Sequence, residues 1–416
     1  MFPNSRMSRP IPSSDAPASV RGPLSSRPGL AVVTGGAGFI GSHLVELLLH
    51  KGYSVHVVDD LSTGRIENLA AVNADPNLTI TVGSAADARV ADYAIRSADV
   101  VFHLAGVVGV RRLAEEPLDV MQANLHSTEA VLRSCAAHSV PVLVTSSSEV
   151  YGDGPVPFVE AAQVRPGSTE GLRGGYACAK AMGEWLATAH AEQSGLRVLV
   201  ARLFNTVGPR QTGDHGMVLP RFVRQAVRGE PITVYGGEQT RCFAHVRDVA
   251  RALLGLATSA SVPGRVVNVG SAIETPVGRL AEMVREAAAS SSPIRNVPFG
   301  DVFPEGFVDP PRRVPSLDRL RAANGWVPEM PLADIVAELV ALASEDEDAD
   351  EAVAKKGVAV QAAVELAAVE SAVVESAAVE SAVVESAAVE SAAVESAGVE
   401  LAAVEQAAAS FGRVPL

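Results

Sequence analysis

From Leu30 onward the chain alternates short apolar or β-branched runs with longer amphipathic stretches. Leu30–Thr34, Ser54–Val58, Leu78–Val82, Val100–Leu104, Val142–Ser146 and Val198–Phe204 read as strands. Their apolar character is too continuous for a sheet with one wet face, so they read as buried. Between them, apolar residues recur at helical spacing, as in Ser42–Lys51 and Ser127–His138. Buried strands alternating with helices predict an α/β fold: a Rossmann-like doubly wound parallel sheet. Past about Gly208 the elements shorten and Gly, Pro and Arg become frequent. That change predicts a smaller C-terminal substrate-binding lobe. The expected division is 29–205 for the sheet domain and 206–343 for the lobe.

The two ends have a different texture. Residues 1–28 are rich in Pro, Ser and Arg without apolar periodicity, and read as a disordered extension. Residues 344–416 form an acidic low-complexity tail, in which a glutamate recurs every fifth residue from Glu365 to Glu405. Five residues advance about 140° around an α-helix, so no stripe forms, and the tail reads as a solvated helix. It holds 15 acidic and 3 basic residues, so most of the formal net charge of −14 lies outside the body. No basic stripe points to nucleic acid. The three cysteines, Cys135, Cys178 and Cys242, have no metal-ligand spacing and suit a reducing cytoplasm. No run approaches the roughly 18 apolar residues of a membrane span. His43, His103, His215 and His245 likewise show no ligand spacing, and read as packing or loop residues.

Between the first strand and first helix lies Thr34-Gly35-Gly36-Ala37-Gly38-Phe39-Ile40-Gly41-Ser42-His43. Gly35, Gly38 and Gly41 give a tight turn, close backbone approach to a pyrophosphate, and close helix–strand packing. The helix N-terminus adds N–H donors and partial positive charge. The second strand ends in Val57-Val58-Asp59-Asp60, where a carboxylate can accept from an adenosine ribose and repel a 2′-phosphate. The expected cofactor is therefore NAD rather than NADP.

Tyr176 and Lys180 are four residues apart, which puts them on one face of a helix. An ammonium held there can lower the phenol's pKa from about 10 and make it a base near neutrality. The run Ser146-Ser147-Ser148-Glu149-Val150-Tyr151-Gly152 supplies a hydroxyl, Ser147, for the same substrate proton.

Together these motifs resemble an extended short-chain dehydrogenase/reductase of the nucleotide-sugar branch, across roughly residues 30–342. Further stretches carry the likeness: Val58-Asp59-Asp60-Leu61-Ser62-Thr63-Gly64, His103-Leu104-Ala105-Gly106, Arg202 through Arg210, Gln239-Thr240-Arg241-Cys242-Phe243, and Gly325-Trp326-Val327-Pro328. The resemblance implies that Phe39, Ile40, Leu104 and Ala105 join the glycines and Asp59/Asp60 around NAD. It implies that Tyr176 takes the sugar C4 hydroxyl proton, Lys180 binds the nicotinamide ribose, and Ser147 bridges. It also implies a homodimer, paired through the helix of Tyr176 and the helix before it.

The fate of the 4-keto sugar turns on Ser148-Glu149. Sugar 4,6-dehydratases carry Asp-Glu there, so the dehydration acid is missing. The Ser-Ser-Glu pattern before Val-Tyr-Gly resembles UDP-glucuronate decarboxylases most, implying loss of CO₂ to give UDP-xylose or a UDP-4-keto-pentose. Arg313, in Arg312-Arg313-Val314-Pro315, matches an arginine facing the reacting sugar, and Asn205, Arg210 and Arg241 match substrate contacts. Two departures keep a UDP-sugar 4-epimerase open: Gly106-Val107-Val108-Gly109-Val110-Arg111-Arg112 replaces a Pro/Ser-rich loop, and the catalytic helix reads Tyr-Ala-Cys-Ala-Lys. A third departure puts Ser84 where the family has an aspartate against the adenine, with Asp87 as a substitute. A non-catalytic NAD-binding interaction module is the remote alternative, opposed by the intact Ser147/Tyr176/Lys180 set.

Overall fold

A computed structural model of the chain describes residues 20–25, 27–169, 174–213, 217–302, 310–345 and 347. The tail apart from residues 344, 345 and 347 lies outside the described residues, as do His215 and the extension up to residue 19. Seven strands form one all-parallel sheet: β1 (Leu30–Thr34), β2 (Ser54–Asp59), β3 (Leu78–Val82), β4 (Val100–His103), β5 (Val142–Ser147), β6 (Val198–Leu203) and β7 (Val266–Val269). Their order is β3-β2-β1-β4-β5-β6-β7, so the sheet is doubly wound, and its order reverses between β1 and β4. Ligands of such sheets bind at that crevice, beyond the strands' carboxyl ends.

Three findings differ from the sequence reading. β7 comes from 266–269, beyond the boundary at residue 205. Its four residues, Val-Val-Asn-Val, are too few to stand out by periodicity, and pairing with β6 is what makes them a strand. β3 is not a buried strand but the sheet edge, where Val82 is 64% exposed. The extension also ceases to be formless at Val20: Val20 and Arg21 pair with Val262 and Ser261, and Leu24 is buried.

Helices cover both faces. α1 (Phe39–His50) packs with Val246–Thr258 on one side, around Leu44, Leu48, Val249 and Leu253. On the other, α2 (Ala88–Ile95), α3 (Pro117–His138) and α4 (Gly174–Ser194) bury Ile95, Val131, Leu132 and Ala187. α3 starts ten residues before its apolar periodicity, with Pro117 at its first turn, where a missing N–H costs nothing. α4 presses on α3 through Gly175 and Gly183: a Cβ on Gly175 would lie 2.4 Å from the Met121 sulfur. That closeness fixes the height at which the next residue, Tyr176, meets the sheet. A third core, with Leu219, Phe222, Ile232, Val234, Leu280 and Ile335, holds together the elements around 207–343.

Candidate active site

A continuous cleft of about 950 Å³ runs over the carboxyl ends of β1, β2, β4, β5 and β6. It is lined at one end by Gly35, Gly38, Phe39, Ile40, Gly41, Asp59 and Asp60, and at the other by Asn205, Arg241 and Arg313. Leu104, Ala105, Ser147, Glu149, Tyr176 and Lys180 lie between. The structure thus brings residues from 35 to 313 to one cavity.

At the first end, β1 stops and the chain turns through Gly35, which has φ +72°. A Cβ on Gly41 would lie 2.0 Å from the Gly35 carbonyl, and one on Gly35 would lie 2.7 Å from Ala105 N. Only glycine permits this closeness. Gly38 caps α1 with no side-chain bond, and the first turn holds no acidic residue, which leaves the N-terminal donors for an anion. The cradle fits a dinucleotide pyrophosphate.

Asp59 lines the cleft, as expected of a ribose contact, and carries a second task that the sequence did not show. Its Oδ2 accepts from Ala37 N and its Oδ1 from Leu61 N, both at 2.9 Å, so it first of all braces the glycine turn. Burial pushes its pKa up, against those backbone donors. Asp60 is exposed at the rim and accepts from Ser62 N. Asp87 does not replace the missing adenine contact: it caps α2 by accepting from Arg89 N, while Ser84 and Ala85 line the cleft.

At the centre, β5 and α4 meet as a ladder. The Tyr176 phenol hydrogen-bonds Ser147, and Lys180 Nζ donates to Thr145 O at 3.2 Å. Burial lowers the Lys180 pKa to about 8, with Glu184 opposing the fall. Burial also raises the Tyr176 pKa; Ser147 opposes that shift and the negative charge of Glu149 adds to it. The sequence led us to expect a phenol pKa below the ordinary value, and in this buried site it lies above it, with the loss of water as the largest cause. His103, fully buried, bridges Thr34 Oγ1 at 2.8 Å and Thr128 Oγ1 at 3.0 Å, tying β1, β4 and α3 under the site. Desolvation first, then the Lys180 charge, lowers its pKa to about 3.

At the far end, Arg313 and Glu149 form a two-pronged ion pair, Nη1 to Oε1 and Nη2 to Oε2, the latter at 3.0 Å. Arg313 is brought there by main-chain pairing: Phe158 N donates to Val314 O and Ser316 N to Phe158 O. Phe158 in turn stacks on Tyr151, two residues after Glu149, with ring centroids 4.6 Å apart. Arg241 is buried and donates to Thr240 O and Pro310 O. Arg210 also lines the cleft, with its guanidinium tied to Glu46 and Ser42 of α1. Arg112 pairs with Glu116 away from the lining, and the Arg111 side chain lies outside the described residues.

Sequence reasoning missed Glu184 and Arg202, a buried pair joined at 2.9 and 2.6 Å, with Ser146 Oγ donating to Glu184 at 2.6 Å. The signal was available: Glu184 is four residues beyond Lys180, and Arg202 interrupts an otherwise apolar strand.

Comparison with known proteins agrees with this geometry. The NAD dependent epimerase/dehydratase family matches residues 31–270. A UDP-N-acetyl-alpha-D-glucosaminuronate decarboxylase of Bacillus cytotoxicus is 37% identical over 292 residues, 70% of this chain and 90% of that protein. UDP-glucuronic acid decarboxylase 1 of Xenopus tropicalis is 33% identical over 313 residues, 73% of this chain and 69% of that one. Among solved structures, a UDP-N-acetylglucosamine 4-epimerase of Methanobrevibacter ruminantium, in complex with UDP-N-acetylmuramic acid, superposes with a TM-score of 0.68 at 31% identity, covering 76% of this chain and 97% of that one. A family match across more than half of the chain, on a cleft built as described, places the protein in the NAD dependent epimerase/dehydratase family, with NAD as its cofactor.

Proposed function

We propose that this chain is an NAD-dependent nucleotide-sugar decarboxylase, acting on UDP-glucuronate to give UDP-xylose or the UDP-4-keto-pentose. The observation that carries the reading is the Arg313–Glu149 pair beside the Ser147–Tyr176 hydrogen bond. When bound, NAD supplies the hydride chemistry at the sugar C4. Tyr176 takes the C4 hydroxyl proton, with Ser147 sharing it, and Lys180 binds the nicotinamide ribose. The ketone at C4 is β to the C6 carboxylate, so the C5–C6 bond pair can enter the ketone as an enolate while CO₂ departs. Arg313 suits the carboxylate because a guanidinium binds it in two-pronged, charge-assisted fashion and stays protonated. Glu149, partly exposed beside it, is the carboxylate through which a proton taken up from solvent can pass to C5. Arg241 and Asn205 hold the diphosphate and sugar.

The test supplies the protein and NAD with UDP-glucuronate and, separately, UDP-N-acetylglucosaminuronate, following CO₂ and the sugar by NMR. CO₂ with a pentose product is the expected result for the first. CO₂ only from the second would move the substrate to the N-acetylated uronate of the Bacillus relative. UDP-sugars that interconvert at C4 without CO₂ would replace the reading by the 4-epimerase that the Methanobrevibacter structure suggests. Tyr176→Phe is expected to lose at least about a hundredfold in rate, and activity unchanged in that variant would favour a non-catalytic module.

We also place the protein in the cytoplasm as a homodimer. Among the described residues, no helix is long and apolar enough to cross a membrane, and Cys178 is an exposed free thiol. Leu118 of α3 and Met182 and Trp185 of α4 are exposed, an apolar surface suited to a second copy. Sedimentation should find twice the chain mass for the wild type and the monomer for Trp185→Glu; a monomeric wild type would end the dimer reading.

A further inference from the structure

Lys180 is almost fully buried, and burial opposes the charge its role requires. The groups that face it decide whether that charge survives. On its own helix these are Tyr176 and Glu184, one turn to either side. From β4, His103 is neutral and adds no positive charge. From β5 comes the Thr145 carbonyl, and from α3 Asn124, which with Lys180 abuts Gly106. Arg202 reaches in from β6, and its guanidinium is taken up by Glu184. Glu184 is the one carboxylate of this set, and its side chain is 8% exposed.

We propose that Glu184 is a positioning residue for the Tyr176/Lys180 pair: clamped by Arg202 and Ser146, its carboxylate keeps the buried Lys180 ammonium charged. The same clamp sets the register of α4 on the sheet. Ser147, Thr145 and Ser146 of β5 engage Tyr176, Lys180 and Glu184, which follow one another at four-residue steps along one face of α4. A carboxylate free to rotate could not hold this ladder. The two Arg202 bonds and the Ser146 bond leave Glu184 one orientation. Beyond it, the Arg202 guanidinium stacks 4.6 Å above the Tyr151 ring, whose hydroxyl donates to Asn268 Oδ1 at 2.7 Å. Asn268 donates to Phe158 O and Ser316 O, on the main chain that carries Arg313. The clamp is therefore shared between the helix of Lys180 and the segment of the opposing arginine.

This inference takes its catalytic meaning from the proposed oxidation of a sugar hydroxyl, but its readout needs no sugar, so either can fail alone. The chain has only four lysines, Lys51, Lys180, Lys355 and Lys356. Carbon-13 labelling at lysine Cε therefore gives few signals, and Lys180→Met identifies the one of interest. In the full-length wild type the Lys180 signal should titrate near pH 8, well below an exposed lysine. In Glu184→Gln the midpoint should fall by about one to three pH units, the effect of losing an opposite charge one helical turn away. The alkaline limb of the rate of NAD reduction should move with it. Should Glu184→Gln not accumulate as folded protein, E184Q/R202M removes both charges; a smaller fall, about half a unit, is then expected, since Arg202 also repels Lys180. A merely structural role would lower the melting temperature and leave the midpoint in place. An unmoved Lys180 midpoint in a folded variant overturns the proposal.

Discussion

Glu149→Gln tests the two jobs that the proposed reaction would give Arg313. Both Arg313 nitrogens now donate to the Glu149 carboxylate, and under the decarboxylase reading the substrate carboxylate competes for them. A hydrogen bond to a charged group contributes about 1.5–3 kcal/mol and a neutral one about 0.5–1.5 kcal/mol. A carboxamide keeps one acceptor oxygen, so the fork loses one strong bond and weakens the other, roughly 2–3 kcal/mol in a dry site. Glu149 is 28% exposed, and solvent screening reduces the difference to about 1.5 kcal/mol, or tenfold in affinity. KM for UDP-glucuronate should therefore fall about tenfold, while kcat falls because the proton route to C5 is lost. A second effect has a definite sign. The Glu149 charge raises the Tyr176 pKa, so removing it lowers that pKa and shifts the acid limb of kcat to lower pH. Initial rates of CO₂ release across substrate concentration and pH measure both. A raised KM would refute the competition and make Glu149 a binding residue instead.

Gly41→Ala should gain about 1 kcal/mol in helix propensity yet lose more, because the new Cβ would meet the Gly35 carbonyl at 2.0 Å. NAD affinity by calorimetry should drop at least about tenfold, whereas Gly38→Ala, with its nearest contact at 3.1 Å, should lose less; equal affinity in Gly41→Ala and wild type would contradict the cradle. His103 has a folded pKa of about 3 against about 6.5 when unfolded. Its contribution is whole above pH 6.5 and declines as pH falls towards 3, by about 2 kcal/mol at pH 5. Urea melts should show this slope in the wild type and a shallower one in His103→Gln; identical slopes would assign acid lability elsewhere.

Local chemistry was legible in the sequence wherever neighbours in the chain are also neighbours in space. The glycine turn and the Tyr176/Lys180 face needed only strand and helix periods, and the buried runs of β1, β2, β4, β5 and β6 followed from the same arithmetic. β7 was missed because a four-residue strand is made by its partner, not by its own pattern. The chemistry of a carboxylate at residue 59 was legible, but not its bracing of Ala37 N, because that distance exists only once the turn is closed. Arg210 was matched to a substrate contact by resemblance, and only the fold shows its guanidinium tied to α1 while that of Arg313 meets Glu149. The direction of the Tyr176 shift was not legible for a similar reason: spacing conceals the loss of water that raises it.

The seventh strand also has a consequence for synthesis on the ribosome. Until residues 266–269 emerge, β6 offers its bare edge, Val198–Leu203, to any other nascent or unfolded chain, and exposed strand edges of this kind invite mispairing. The cradle residues near Gly35 leave the exit tunnel long before Arg313 does. A chain grown past residue 270 could thus bind its cofactor before it holds Arg313. Production of the enzyme in fragments that stop before residue 270 should give aggregates rather than a smaller cofactor-binding protein.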